Sequence, residues 1–213
     1  MMTEQDWDRR LHIDTIGRDA SREDNYHYPY EPTPYAVLER LADSGFISDE
    51  SIVIDYGCGK GRVSFFLHDR LGCKVIGIDF DESMCVQAKK NLVNYDVGFL
   101  ENKVRDIKTE NRNDKSNIQF LCKDAERYEV EEGDTFYFFN PFSVEILHSV
   151  IGKIIRSYYI QPREMRLLFY YPSDEYVSYL MTVPELCFVD EIDCSDLFAG
   201  YNQREKILVF EVI

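Results

Sequence analysis

Positive charge is scarce in this chain: 24 Lys and Arg stand against 39 Asp and Glu, leaving a formal net charge of −15 over 213 residues. A polyanion such as DNA or RNA is repelled at long range by such a surface. No basic run interrupts the pattern, so nucleic acid is not the expected partner. A small molecule or a protein is. Long apolar runs are also missing, and none approaches the ~18 residues that a membrane span needs. The opening "MMTEQDWDRR" is polar and acidic, unlike a secretory leader. The six cysteines form no CxxC pair, and no Cys/His cluster has zinc spacing, so no metal is expected. Four of them lie in apolar segments and read as small buried hydrophobes of a reducing, cytoplasmic setting. Internal repeats and low-complexity linkers are absent.

What is present suits a folded domain. Hydrophobic residues make up 45% and aromatics 14%. A chain of this length buries roughly 70% of its unfolded surface. Residues 1–50 read as an N-terminal cap segment, partly helical and partly irregular. Within it residues 1–30 show no strong period. In "EPTPYAVLERLADSGFI" Thr33 has the chemistry of an N-cap, Pro34 fits a first helical position, and Gly45 a stop. From residue 51 apolar strands alternate with amphipathic helices: "IVIDY", "KGRVSFFLHDRL", "CKVIGIDF", "ESMCVQAKKNLVNY", "IQFLCKD", "DTFYFFNPF", "VEILHSVIGKIIRSYYI", "MRLLFYY" and "SDEYVSYLMT". Ser173 is the expected cap of the last helix. Residues 96–117 read as an insertion with part of a helix, since Val97, Leu100, Val104 and Ile107 recur at helical spacing. "CFVDEID" and "KILVFEVI" follow with no helix between them. The pattern predicts an α/β fold. Its sheet is doubly wound and mostly parallel, with helices on both faces and a C-terminal antiparallel hairpin.

The most informative stretch is "IVIDYGCGKGRVSFFL". A strand that runs into a glycine-rich turn and then a helix cradles a ligand. Glycines allow close approach, and the helix start offers free N–H donors. A dinucleotide fingerprint is GxGxxG. Here Gly57 and Gly59 fit, but position 62 is Arg, and the third glycine is Gly61. Asp55, two residues before the turn, would repel a pyrophosphate and suits an ammonium. This charge logic favours the amino-acid end of S-adenosylmethionine over a nicotinamide dinucleotide. Asp79 closes the second strand, where a carboxylate can accept both hydroxyls of a ribose. Phe80 is placed to cover an adenine. Asp124 and Ala125 close the third strand, where an acceptor suits the adenine amino group.

"VIDYGCGKGRV", "VIGIDFDESMCVQAKKN", "FLCKDAERY" and "FYFFNPF", in that order, resemble the successive motifs of the class I S-adenosylmethionine-dependent methyltransferases, whose sheet has seven strands. The likeness covers residues 51–213. Two departures stand out: the link 125–133 is too short for the usual helix, and 96–117 is inserted. The resemblance implies that Asp55, Gly57, Gly59 and Gly61 frame the methionine end, Asp79 the ribose, and Asp124 with Ala125 the adenine. It also places the segment before the first strand over the cofactor. Tyr30 and Thr33 thus join the candidate contacts, and His27, Tyr28, Tyr30 and Tyr35 become candidate acceptors or bases.

Asn140, Pro141 and Phe142 resemble the [DN]PP[FY] loop of methyltransferases acting on nitrogen, with Phe142 where the second proline would stand. They are the candidate catalytic residues: a polar acceptor that also touches the cofactor, a fixed backbone and an aromatic for a planar substrate. "YYPSDEY" is a candidate lining of the substrate mouth, and His68 and His148 read as structural. The expected activity is methyl transfer from S-adenosylmethionine to a nitrogen, or an oxygen, of a small molecule or protein. A non-catalytic S-adenosylmethionine-binding protein or partner subunit is the alternative. An RNA methyltransferase and an NAD-dependent dehydrogenase stand further back.

Overall fold

The computed structural model describes residues 2–18, 29–105, 117–200 and 202–213, and for 99–105 the backbone alone. Seven strands form one sheet: β1 (Ile52–Tyr56), β2 (Lys74–Asp79), β3 (Ile118–Cys122), β4 (Thr135–Phe138), β5 (Arg166–Tyr170), β6 (Leu186–Asp193) and β7 (Lys206–Val212). Their order is β3-β2-β1-β4-β5-β7-β6. β1 to β5 pair in parallel, while β7 lies antiparallel between β5 and β6. The helices are α1 (Glu4–Leu11), α2 (Tyr35–Asp43), α3 (Arg62–Leu71), α4 (Glu82–Arg105), α5 (Val144–Ile160) and α6 (Asp174–Leu180).

Strand alternation builds two cores. Val53, Val75, Tyr137, Leu168 and Val209 face one layer, where Trp7, Leu38, Phe65, Phe66 and Ala88 bring in α1 to α4. Ile54, Ile76, Phe136, Leu167 and Phe210 face the other, covered by Leu147, Val150 and Ile154 of α5 and Tyr176 of α6. The helical layers on both faces and the closing hairpin are those the pattern predicts. Four cysteines are buried, while Cys122 and Cys187 are exposed.

Three local expectations change. Residues 4–11 are helical: Thr3 and Asp6 form a reciprocal capping box, and Trp7, Asp8 and Leu11 are buried. Thr33 does not cap α2. Pro34 occupies that position with ψ 138 and no side-chain bond, and the helix starts at Tyr35. The Thr33 hydroxyl instead lies 2.9 Å from that of Tyr137. The helix of 82–95 runs on without a break to Arg105, so the first part of the 96–117 segment extends α4. Ile107 lies outside the described residues. Between β3 and β4 stands only a 3-10 turn, Ala125–Arg127, in keeping with the short link. Ser173 caps α6 by accepting from Tyr176 N at 3.2 Å.

Candidate active site

β1 is followed by β2 on one side and paired with β4 on the other, so the sheet order reverses beside it. A crevice opens at the C-terminal ends of strands at such a place. Here it is a cleft of about 1040 Å³, open to solvent at its mouth. Asp55 of β1, Asp79 of β2 and Asp124 beyond β3 all line it, with Phe80, Ala125, Asn140, Pro141 and Phe142. Tyr30 and Thr33 line it from the N-terminal segment. Gly57 reaches the wall, whereas Gly59 and Gly61 do not: Tyr30 covers the first, and Phe120 and Phe65 crowd the second.

The turn is pinned to the end of β2. Gly57 N and Cys58 N both donate to Ile78 O, at 2.8 and 3.0 Å. Close approach explains two of the glycines. A Cβ on Gly57 would lie 2.3 Å from Pro141 Cβ, and one on Gly59 2.3 Å from the Tyr30 ring. Both have positive φ, 72° and 52°.

The Asp79 carboxylate brackets the turn, accepting from Gly59 N at 2.8 Å and Asp81 N at 2.9 Å. Burial pushes this carboxyl above its ordinary value, against backbone N–H bonds from Asp81, Gly59 and Phe80. The start of α4 is served instead by Asp81, whose Oδ1 accepts from Ser83 N and Oγ, both at 2.7 Å. Asp55 is 2% exposed and accepts from Ser64 Oγ at 2.8 Å. Burial raises it to about 7, the Ser64 bond opposing and the Asp79 charge adding to the rise. Phe80 is 40% exposed and lines the cleft. Asp124 caps the 3-10 turn through Glu126 N at 2.8 Å.

Asn140 has φ 39°, and its amide braces the loop after β5. Nδ2 donates to Tyr171 O at 2.5 Å, and Oδ1 accepts from Ser173 N at 3.2 Å. Phe142 lines the cleft but is held by its neighbours. It is 4% exposed, packs edge-on against Tyr56 and Phe138, and its carbonyl accepts from Tyr176 OH at 2.6 Å. The "YYPSDEY" loop stands behind Asn140 and does not line the cleft. Tyr30 OH donates to Thr15 O, and Tyr35 OH to Asp8 Oδ1, both at 2.6 Å. Burial raises both phenols well above their usual value, and each hydroxyl spends its proton in the bond just named. His27 and Tyr28 lie outside the described residues. His68 bonds Cys73 O at 2.8 Å and His148 stacks on Tyr179, both structural.

Sequence reasoning missed several lining residues, among them Glu31, Arg62, Met84, Lys123, Tyr137 and Phe139. Lys123 and Glu31 flank residues already singled out, so adjacency could have found them. Arg62 carried a signal of another kind, a charge where a glycine would fit. Among the described residues no group of His, Cys, Asp and Glu is placed to hold a metal, and no helix is long and apolar enough to cross a membrane.

Residues 53–114 match the family model described as a methyltransferase domain. The chain is 31% identical over 67 residues to the protein-lysine N-methyltransferase of Saccharolobus islandicus, covering 31% of this chain and 42% of that protein. The chain spans less than half the length of the curated relatives it matches. Its fold resembles the tRNA (uracil-54, C5)-methyltransferase of Pyrococcus abyssi in complex with S-adenosyl-L-homocysteine. There the TM-score is 0.58 at 14% identity, over 94% of this chain and 45% of that one. It also resembles a TehB-like SAM-dependent methyltransferase from Corynebacterium glutamicum, with a TM-score of 0.54 at 15% identity, over 82% and 86% of the two chains. By its sheet order and its helical layers, the chain has the Rossmann-like fold seen in the class I S-adenosylmethionine-dependent methyltransferases, and residues 53–114 carry the match to a methyltransferase domain.

Proposed function

We propose that the chain transfers the methyl group of S-adenosylmethionine to a nitrogen of a small molecule or a protein. The observation that carries this reading is the convergence of Asp55, Asp79 and Asp124 on one cleft beside the glycine turn. The residues fit that cofactor. A buried carboxyl at Asp55 matches an ammonium, Gly57 brings bare backbone to the wall beside it, and Phe80 lines the same cleft. When bound, the cofactor supplies a sulfonium methyl whose departure leaves a neutral thioether. In this reading Asp55 and the turn hold the amino-acid end, and the Asp79 carboxylate takes the ribose hydroxyls. Asp124 and Ala125 meet the adenine.

Asn140, Pro141 and Phe142 border the acceptor side. Holding nucleophile, methyl carbon and sulfur in line supplies roughly 7–11 kcal/mol of such a barrier, so rigidity matters more than acid–base chemistry. The Asn140 amide, bonded on both its atoms, provides rigidity. The lining sets Glu31, Asp55, Asp79, Asp81 and Asp124 against Arg62 and Lys123, an acidic balance that favours an amine over a phosphate-rich acceptor. The likeness to a protein-lysine N-methyltransferase points the same way.

A non-catalytic S-adenosylmethionine-binding role is the second reading. It is favoured by the same Asn140 amide, which already holds backbone partners. Incubation with methyl-labelled cofactor and a cell lysate separates the two. Label lost to protease or to dialysis supports a protein or small-molecule acceptor. Label lost to nuclease overturns the acceptor assignment. Binding of S-adenosylhomocysteine with no label transferred favours the second reading.

A further inference from the structure

We propose that Arg62 is a positioning residue that latches the N-terminal wall of the cleft, residues 29–33, over the methionine end of the cofactor. This rests on the cofactor reading above. Arg62 opens α3 directly after the glycine turn, yet its side chain is 4% exposed. A guanidinium so buried must be paired and hydrogen-bonded. Among the described residues its side-chain partners all come from the first 35 positions. Nε donates to Thr15 Oγ1 at 2.8 Å and Nη1 to Thr33 O at 3.2 Å. Nη1 also pairs with the Glu4 carboxylate, Nη2 lies 3.8 Å from Asp8 Oδ1, and the group sits 4.4 Å from the centre of the Tyr35 ring.

The same partners reach the cleft. Thr33, whose carbonyl Arg62 holds, lines it. Thr15, whose hydroxyl Arg62 holds, accepts at its carbonyl from Tyr30 OH, and the Tyr30 ring lies on Gly59. The neighbouring residue of the turn repeats the arrangement, since Lys60 Nζ donates to Ile16 O at 3.0 Å. The turn that cradles the ligand thus carries the side chains that hold the opposite wall. Tyr30 stands at the glycines, the end assigned to the amino acid, while the adenine end at Asp124 and Ala125 has no part in the latch. Arg62 therefore acts on one end of the ligand.

Calorimetric titration of the whole protein with S-adenosylhomocysteine and with 5′-methylthioadenosine, which lacks the amino-acid group, tests this. Arg62→Met should weaken S-adenosylhomocysteine at least tenfold and methylthioadenosine less than twofold. Arg62→Lys, which keeps the charge but loses the fork, should fall between. Arg62→Met risks misfolding by leaving Asp8 unpaired, so Glu4→Gln is the second variant. Glu4 lies outside the cleft, and its loss should shift the same ratio in the same direction by a smaller factor. Equal losses for both ligands mark a general structural role and overturn the proposal, as do unchanged affinities in Glu4→Gln and Arg62→Met. A parent protein that binds neither nucleoside overturns the cofactor reading and the latch together.

Discussion

Asp55 offers the sharpest test, because its cost to the fold and its use to the ligand have opposite signs. The carboxyl is 2% exposed, and burial lifts it from 3.8 to about 7. At 1.36 kcal/mol per pKa unit the gap amounts to roughly 4 kcal/mol. The folded state holds the proton over a range in which the unfolded chain has lost it. Unfolding then releases a proton, and stability falls as pH rises from 3.8 through about 7. Asp55→Asn has nothing to titrate and escapes this penalty. Integrated between pH 5 and pH 8, the difference favouring the variant should widen by about 2.5 kcal/mol. Urea unfolding of ligand-free parent and variant at the two pH values measures it.

Ligand binding should run the other way. An ammonium beside Asp55 favours the ionised carboxylate, a charge-assisted contact worth about 1.5–3 kcal/mol. At pH 8 the variant should therefore bind S-adenosylhomocysteine roughly 10- to 150-fold more weakly. Parent affinity should fall as pH drops below 7, because Asp55 takes up a proton, and the variant should show no such fall. A variant that is less stable than the parent at pH 8, or that binds S-adenosylhomocysteine as well, refutes the reasoning.

Three other substitutions probe the remaining parts of the cleft. Gly59→Ala places a Cβ 2.3 Å from the Tyr30 ring at φ 52°, and should cost roughly 1–3 kcal/mol in urea unfolding. Partial recovery in the double variant with Tyr30→Ala would locate the clash, and no loss in the single variant would contradict it. Asp79→Ala leaves Gly59 N and Asp81 N without their acceptor and should lower stability by about 1–3 kcal/mol. It should also weaken methylthioadenosine, a result that unchanged affinity would deny. Asn140→Ala removes the acceptor of Ser173 N and leaves Tyr171 O to Arg204 Nη2, and should leave S-adenosylhomocysteine affinity intact while slowing label transfer at least tenfold. Transfer at the parent rate would remove Asn140 from the acceptor side.

The sheet was readable because its signals are local. The strands β1 to β5 and β7 are short apolar runs, the helices between them carry apolar stripes, and the acids at 55, 79 and 124 mark strand ends by position alone. What escaped lacks that locality. α1 buries only Trp7, Asp8 and Leu11, too few for a period, although Thr3 and Asp6 already spelled a capping box. Thr33 carries a cap's chemistry, but Pro34 holds an extended ψ of 138°, and the hydroxyl finds Tyr137, 104 positions along. Phe142 reads as an aromatic for a planar substrate, and the sequence does not show that it is buried with its carbonyl bonded to Tyr176, 34 positions away.

Arg62 joins the two kinds of signal. In a dinucleotide fingerprint the third glycine stands there so that helix and strand can pack closely. Its replacement by arginine was visible, and it argued against a pyrophosphate. The window around residue 62 does not show how the charge is tolerated, since the carboxylates that neutralise it are Glu4 and Asp8, more than 50 positions earlier. A buried guanidinium without them would cost several kcal/mol. The arginine and the N-terminal segment therefore require one another. A departure from a motif that looks local is explained only by chain that folds back from the far end, and the wall that this chain builds is the part of the cleft that the glycine turn alone does not encode.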